Sequence, residues 1–288
     1  MYDYALLSDV AVAKNGITTS DNDKFIKVWS EVSCKKIGFN YKTYIIGANK
    51  WIPYNKAGGK RRWYGNLDFV INWDKNGYEI KNYRDSSGKK MASIRNEKYY
   101  FLEAISWSDI KSNGTSFRYY PQGFIFDASA NNAYIEDYID MFTILAISNS
   151  KVMDMFAEFY NPSIHFKIGN FYNVPYPIDN TIKNSITNIV QDNITLSRED
   201  WDSHETSWDF QTNELVSIEP EEGEESNTLE WRMKKYKQKW EDKFCQLHQN
   251  EEELNRQFIQ IYGLEDELTP DVPLDEITIL QQGEISIK

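Results

Sequence analysis

Gly58-Gly59-Lys60-Arg61-Arg62-Trp63-Tyr64-Gly65-Asn66 opens a block that continues through Asp68-Phe69-Val70-Ile71-Asn72-Trp73, Ile105-Ser106-Trp107-Ser108-Asp109-Ile110 and Phe117-Arg118-Tyr119-Tyr120-Pro121-Gln122-Gly123-Phe124-Ile125-Phe126-Asp127. Short β-branched or aromatic runs alternate here with Gly, Asn, Asp, Lys and Pro, the pattern of a mostly antiparallel β module. The expected strands lie in Thr43–Ile46, Leu67–Trp73, Tyr99–Trp107 and Gly123–Phe126. No strand, glycine loop and helix follow one another as a nucleotide-binding unit would require.

Working outward toward the C-terminus, Tyr138, Met141, Phe142, Leu145, Ala146, Val152, Met155, Phe156 and Phe159 recur at helical spacing. Asn149-Ser150 marks a break and Pro162 a stop, so a helix pair packed on the β module is expected. Phe166-Lys167-Ile168-Gly169-Asn170 returns to strand chemistry, and Val174-Pro175-Tyr176-Pro177 reads as an extended exit. The first unit is expected to span residues 1–178, followed by a connecting segment, 179–228, with the self-repelling acidic run Glu219-Pro220-Glu221-Glu222-Gly223-Glu224-Glu225. From Leu229 to Tyr262 there is no Pro or Gly, and apolar residues recur every three or four positions from Trp231 to Ile261. This predicts one long amphipathic helix in a C-terminal accessory region, 229–288, stopped at Gly263. Ile277–Leu280 then reads as a strand in need of a partner. The fold class is therefore α+β: a β-rich module with packed helices, an acidic linker and a long C-terminal helix.

The chain has 288 residues and a net charge of −12. Such acidity argues against a polyanionic partner, because phosphate contacts require Lys or Arg. The charge is uneven, however. Residues 1–170 hold 22 Lys and Arg against 18 Asp and Glu, and residues 35–118 hold 17 against 7. The acidity belongs to the C-terminal part, and interleaved cations, glycines and aromatics in the N-terminal part suit a surface that lies against nucleic acid. The plain alternative is that Lys60-Arg61-Arg62 is a solvated hairpin tip and that Trp63, Tyr64, Phe69 and Trp73 are sheet or core residues.

Cys34 and Cys245 stand far apart without a Cys-x-x-Cys or Cys/His cluster, so neither a disulfide scaffold nor a structural zinc site is indicated, and a reducing, cytoplasmic setting is expected. No apolar run reaches the length of a membrane span. His165, His204 and His248 are isolated in sequence, and no nucleophile elbow, zinc-binding His pair or phosphate loop accompanies them. No catalytic or metal-ligating residue is assigned.

Several segments resemble one family. Gly16-Ile17-Thr18-Thr19-Ser20-Asp21-Asn22-Asp23-Lys24-Phe25 is similar to the Gly-(Leu/Ile)-x-Thr-Gly-Asp-Asn-Asp-x-Phe opening of the target-recognition region in large adenine-specific DNA methyltransferases. These are the type IIG-like enzymes and, most closely, the PglX methyltransferases of BREX phage-defence systems. Arg61-Arg62-Trp63-Tyr64-Gly65-Asn66 resembles their Lys-x-Trp-Tyr-Gly-Asn motif, and residues 105–108 and 117–127 resemble Ile-x-Trp-Ser and Phe-x-Arg-Tyr-x-Pro-x-Gly-Phe-Ile-Phe-Asp. Residues 147–150 and 164–170 are similar to shorter pieces. Leu196-Ser197-Arg198-Glu199-Asp200-Trp201-Asp202-Ser203-His204-Glu205-Thr206-Ser207-Trp208-Asp209-Phe210 is similar to a PglX signature, and residues 262–270 to another. The glycine-containing cofactor loop and the Asn-Pro-Pro-Tyr/Phe motif are missing, since Asn161-Pro162-Ser163 is not that motif. Ser20 stands where the family has Gly, which weakens the expectation of a tight turn.

The resemblance implies the C-terminal, DNA target-recognition part of such an enzyme. Its cofactor S-adenosylmethionine and its catalytic site would belong to a methyltransferase domain elsewhere in the parent chain, with none bound by this part. Expected partners are double-stranded DNA, that methyltransferase domain and other phage-defence subunits, but no membrane. Phosphate contacts are expected from Lys60, Arg61, Arg62, Lys89 and Lys90, and base or backbone readout from Thr19, Asn22, Lys24, Tyr64, Arg95 and Arg118. The alternative is a protein-interaction module that binds other defence-system subunits through its acidic C-terminal part.

Overall fold

Alternation of apolar and turn-forming residues over positions 12–134 produces eight short strands, β1 (Val12–Lys14), β2 (Ile26–Val28), β3 (Trp51–Asn55), β4 (Phe69–Asn72), β5 (Ala104–Ser108), β6 (Phe117–Tyr120), β7 (Ile125–Phe126) and β8 (Ala130–Tyr134). The computed structural model describes residues 4–43, 49–111, 114–177, 180–220 and 228–279. One sheet has the order β1-β8-β5-β6 and is antiparallel throughout. The other has the order β2-β4-β3-β7, antiparallel except where Tyr54 and Asn55 run parallel to Ile125 and Phe126. Asn55 joins the two sheets: its buried amide donates to Ser106 Oγ at 2.7 Å and to Asn132 Oδ1 at 3.2 Å. A buried amide needs such partners, so this polar contact fixes how the sheets meet.

The helices are α1 (Leu7–Val10), α2 (Asn22–Phe25), α3 (Asp74–Lys81), α4 (Tyr138–Ser148), α5 (Lys151–Tyr160), α6 (Ile168–Tyr172), α7 (Asn180–Asp202), α8 (Glu214–Ser217) and α9 (Leu229–Tyr262). The expected helix pair is present as α4 and α5, broken at Asn149 and Ser150. Asn149 does more than break the helix. Its side-chain amide accepts from Phe117 N at 2.8 Å and donates to Phe117 O at 3.0 Å, completing the backbone bonding of β6 at that residue. The long C-terminal helix runs over the expected residues. Thr228 caps it by accepting from Trp231 N, and Gly263 ends it at φ +64°, the left-handed conformation that glycine adopts without a Cβ penalty.

Residues 166–170 depart from the strand expectation. His165 makes a single bridge to Ile110, and the chain then coils into α6. The connecting segment also contains structure that composition concealed, the 23-residue helix α7. Its Asn, Thr and Ser content lowers helix propensity. Packing overrides this, because Ile186, Val190, Asn193, Ile194 and Ser197 fall on one buried stripe against α4 and α9. The strand expected at Thr43–Ile46 and the acidic run Glu219–Glu225 fall mostly outside the described residues. Of the strand expected at Ile277–Leu280, residues 277–279 form no strand, Ile277 and Ile279 packing into the core instead, and Leu280 lies outside the described residues.

One apolar cluster draws on Leu7, Trp107, Phe117, α4, α7, α9 and Ile279, and so takes side chains from both sides of residue 178. Trp107 stacks on Phe171 at 4.8 Å at its centre. A second cluster, with Phe25, Tyr54, Trp73, Tyr100 and Phe126, lies on the β2-β4-β3-β7 sheet. Among the described residues no helix is long and apolar enough to cross a membrane.

Candidate nucleic-acid interface

The block that dominates the sequence faces inward. Arg62 is 4% exposed. Its guanidinium donates to Glu251 Oε2 at 2.7 Å and lies 3.5 Å from Glu276 and 3.9 Å from Asp154. Burial works to lower its pKa, but the three carboxylates outweigh it and hold the group above the ordinary arginine value. Trp63, in the left-handed region at φ +69°, donates its indole N–H to the other oxygen of Glu251 at 2.7 Å. Its backbone also bonds to β6, with Trp63 N donating to Phe117 O at 2.9 Å and Tyr119 N to Trp63 O at 2.8 Å.

Arg61 is bound from three sides. It donates to Asp200 Oδ2 at 2.6 Å, to Ser197 O at 3.0 Å and to Tyr64 O at 2.8 Å, and its guanidinium lies 5.1 Å from the Trp201 ring centre. Gly65 is required by this packing. Its φ is +125°, and a Cβ there would sit 2.3 Å from Arg61 Nε and 2.9 Å from the Trp201 ring. Arg118 is fully buried and donates to the carbonyl oxygens of Arg61, Ala57 and Gly59 at 3.0–3.4 Å, closing the Gly58–Asn66 loop from within. Lys60 is half-buried, 3.9 Å from Glu276, with its pKa lowered by burial and by Arg62. Tyr64 is buried beneath the Arg198 guanidinium, 4.6 Å from its ring centre, and burial raises its phenol pKa. Arg62, Tyr64 and Arg118 are therefore not surface contacts as expected. Arg62 and Arg118 fasten the loop to α9 and to β6.

The remaining expected residues lie on neighbouring turns, with Thr19 buried and Asn22, Lys24, Lys89, Lys90 and Arg95 exposed. Thr18 pairs antiparallel with Ser93, its N–H donating to Ser93 O at 3.0 Å and Ser93 N returning the bond at 2.9 Å. This sets the Thr18–Phe25 turn beside the exposed turn Arg84–Lys90. Ser20 makes the tight turn that its replacement of Gly put in doubt: it adopts φ +61°, and its Oγ donates to Met91 O at 2.8 Å. Thr19 is buried and donates to Asn22 Oδ1 at 2.5 Å, holding the exposed Asn22 amide by its oxygen. Asp21 accepts from Lys24 N and from the Tyr83 hydroxyl at 3.0 and 2.8 Å. Lys24 lies over the Tyr83 ring at 4.6 Å and 3.1 Å from Glu79. Lys89, Lys90 and Arg95 are exposed, and Arg95 Nε donates to Ser93 Oγ at 3.1 Å. A shallow cavity of about 370 Å³ beside them is lined by Thr18, Thr19, Ser20, Asn22, Asp127 and Ala128. Residues 81–98 carry six cations against Asp85 and Glu97.

Asp200, Glu251 and Glu276, which decide the fate of the arginines, carried no sequence assignment. The only signal for one of them was the run Leu196–Phe210, whose Asp and Trp residues meet residues 61–66. His165 is not isolated in space, since Nδ1 lies 3.0 Å from Asp109. Among the described residues no group of three His, Cys, Asp or Glu could hold a metal ion.

No family model matches the chain. Over 278 residues, 95% of its length, it is 38% identical to the adenine-specific methyltransferase PglX of Lacticaseibacillus casei (strain Zhang), covering 23% of that protein. Over 208 residues, 71% of its length, it is 32% identical to the adenine-specific methyltransferase BrxX of Escherichia coli O9:H4 (strain HS), covering 16% of it. The chain thus spans less than a quarter of these curated relatives, and over most of its own length it is similar to one segment of an adenine-specific methyltransferase.

Proposed function

We propose that this chain is the DNA target-recognition region of an adenine-specific DNA methyltransferase from a restriction-modification or BREX phage-defence system. It would position a separate S-adenosylmethionine-dependent domain of the parent chain on a specific duplex site. The observation that carries the reading is the Thr18–Ser93 pairing, which joins Asn22 and Lys24 to the exposed cations Lys89, Lys90 and Arg95 on one surface. Cations at an exposed turn neutralise phosphates and fix register, while an amide held by one atom can read a base edge with the other. Thr19 acts by positioning Asn22. Arg61, Arg62 and Arg118 instead hold the Gly58–Asn66 loop in the fold.

The test is duplex binding by fluorescence anisotropy at two salt concentrations. Phosphate-led binding weakens by about 0.9 log units per contact per log unit of salt. The variant with Lys89, Lys90 and Arg95 all changed to Ala is expected to lose both affinity and salt slope. Salt-independent binding, or an unchanged slope in the variant, would remove the assignment.

A second reading is favoured by a different patch. Ile110 and Ile164 are exposed where residues 110 and 165 pair, and Phe159 on α5 is 79% exposed. Such a patch suits a protein contact, with the methyltransferase domain or with another defence subunit. Phe159→Ser would then impair association with that domain while leaving duplex binding intact.

A further inference from the structure

A cavity of about 620 Å³ opens where residues 198–209 meet the β2-β4-β3-β7 sheet, well within the size range of small-molecule sites. Trp208 lies 5.2 Å from Phe39 and 6.0 Å from Phe124, both rings tilted against it, so the cavity has aromatic walls. Its polar lining has two parts of opposite kind. Asp202 and Asp209 supply acceptors; Asp202 takes one hydrogen bond, from Ser207 Oγ at 2.7 Å, and the carboxylate of Asp209 makes no hydrogen bond or ion pair among the described residues. Arg198, stacked on Tyr64, and the amide of Gln122 supply donors.

We propose that this cavity binds a guanine base among its aromatic walls. An ionised carboxylate is an acceptor only, and of the four DNA bases guanine alone presents two N–H donors side by side, at N1 and at the 2-amino group. Its opposite edge, O6 and N7, is the pair of acceptors that an arginine guanidinium recognises. A bare cation such as a guanidinium would satisfy the carboxylates but leave the Gln122 amide without a partner. Burial and the neighbouring Asp209 raise the Asp202 pKa, so a ligand that donates to these carboxylates relieves a repulsion already present. The base could be a free guanine nucleoside or an unpaired guanine of a nucleic acid.

The experiment is calorimetric titration of the chain with guanosine, inosine and adenosine, repeated on Asp202→Asn and Asp209→Asn, with circular dichroism to confirm folding. Guanosine is expected to bind, and inosine, which lacks the 2-amino donor, to bind at least tenfold more weakly. At least one of the two substitutions is expected to weaken guanosine about tenfold. No guanosine binding, equal affinity for inosine, or full binding by both variants would overturn the proposal. Displacement of guanosine by an oligonucleotide with one unpaired dG assigns the site to nucleic acid; failure to displace it assigns the site to the free nucleoside. The proposal is independent of the duplex-facing surface, and the variant with Lys89, Lys90 and Arg95 changed to Ala is expected to bind guanosine unchanged.

Discussion

The Arg62 guanidinium and the Glu251 carboxylate lie 2.7 Å apart across 189 residues of chain, and both side chains are nearly inaccessible to water. Removing one partner of a buried pair leaves an uncompensated charge, which costs about 3–5 kcal/mol. Glu251→Ala also deprives the Trp63 indole of its acceptor. Urea unfolding is expected to show a loss of that size, with the double variant Arg62→Met, Glu251→Leu retaining more stability than Glu251→Ala alone.

The same relationship separates two kinds of basic residue. Changing Arg61 and Arg62 to Ala is expected to lower the unfolding midpoint, because each has several internal partners. Changing Lys89 and Lys90 to Ala is expected to alter stability by no more than about 0.5 kcal/mol, as exposed positions do. Paired thermal melts and DNA titrations on both double variants distinguish folding defects from binding defects.

Gly65→Ala should destabilise despite adding only a methyl group. The backbone conformation alone costs about 1–3 kcal/mol for a residue with a side chain, and the methyl would displace Arg61 from Tyr64 and Trp201. Chemical denaturation of Gly65→Ala beside Gly59→Ala, where a Cβ meets nothing within 4 Å, isolates the effect.

Asp202 contributes a pH dependence of unusual sign for a carboxylate. Its pKa is raised by burial, with Asp209 adding to the effect, so the folded state holds the proton more tightly than the unfolded chain. The associated stability is fully present below the unfolded value, about 3.9, and is lost as pH rises through the raised folded value. Relative to Asp202→Asn, the parent protein is therefore expected to lose stability between these two values, measured by denaturant unfolding at a series of pH values. A difference that grows in the opposite direction would contradict the assignment.

Several elements were legible because their signals are local. The boundaries of α9 follow from an uninterrupted three-and-four spacing ended by Gly263, and the α4–α5 break follows from Asn149-Ser150. The β-rich character of residues 12–134 follows from short apolar runs between turn formers. Helix α7 was not legible, since its Asn, Thr and Ser residues disfavour a helix in isolation and only the stripe from Ile186 to Ser197 against α4 and α9 stabilises it. Ser20 adopts a positive φ without glycine's freedom, and a hydroxyl bond to Met91, in another segment, stabilises it.

The sequence by itself determined the α+β class, the long terminal helix and the concentration of cations between residues 35 and 118, because periodicity and composition are properties of neighbouring residues. Only the tertiary structure decided which cations face water. Arg61 and Arg62 meet Asp200 and Glu251, 139 and 189 residues away, and a buried charge is stable only where folding brings such partners to it. Lys89, Lys90 and Arg95 meet no such carboxylate among the described residues and remain at the surface, where a polyanion could be met.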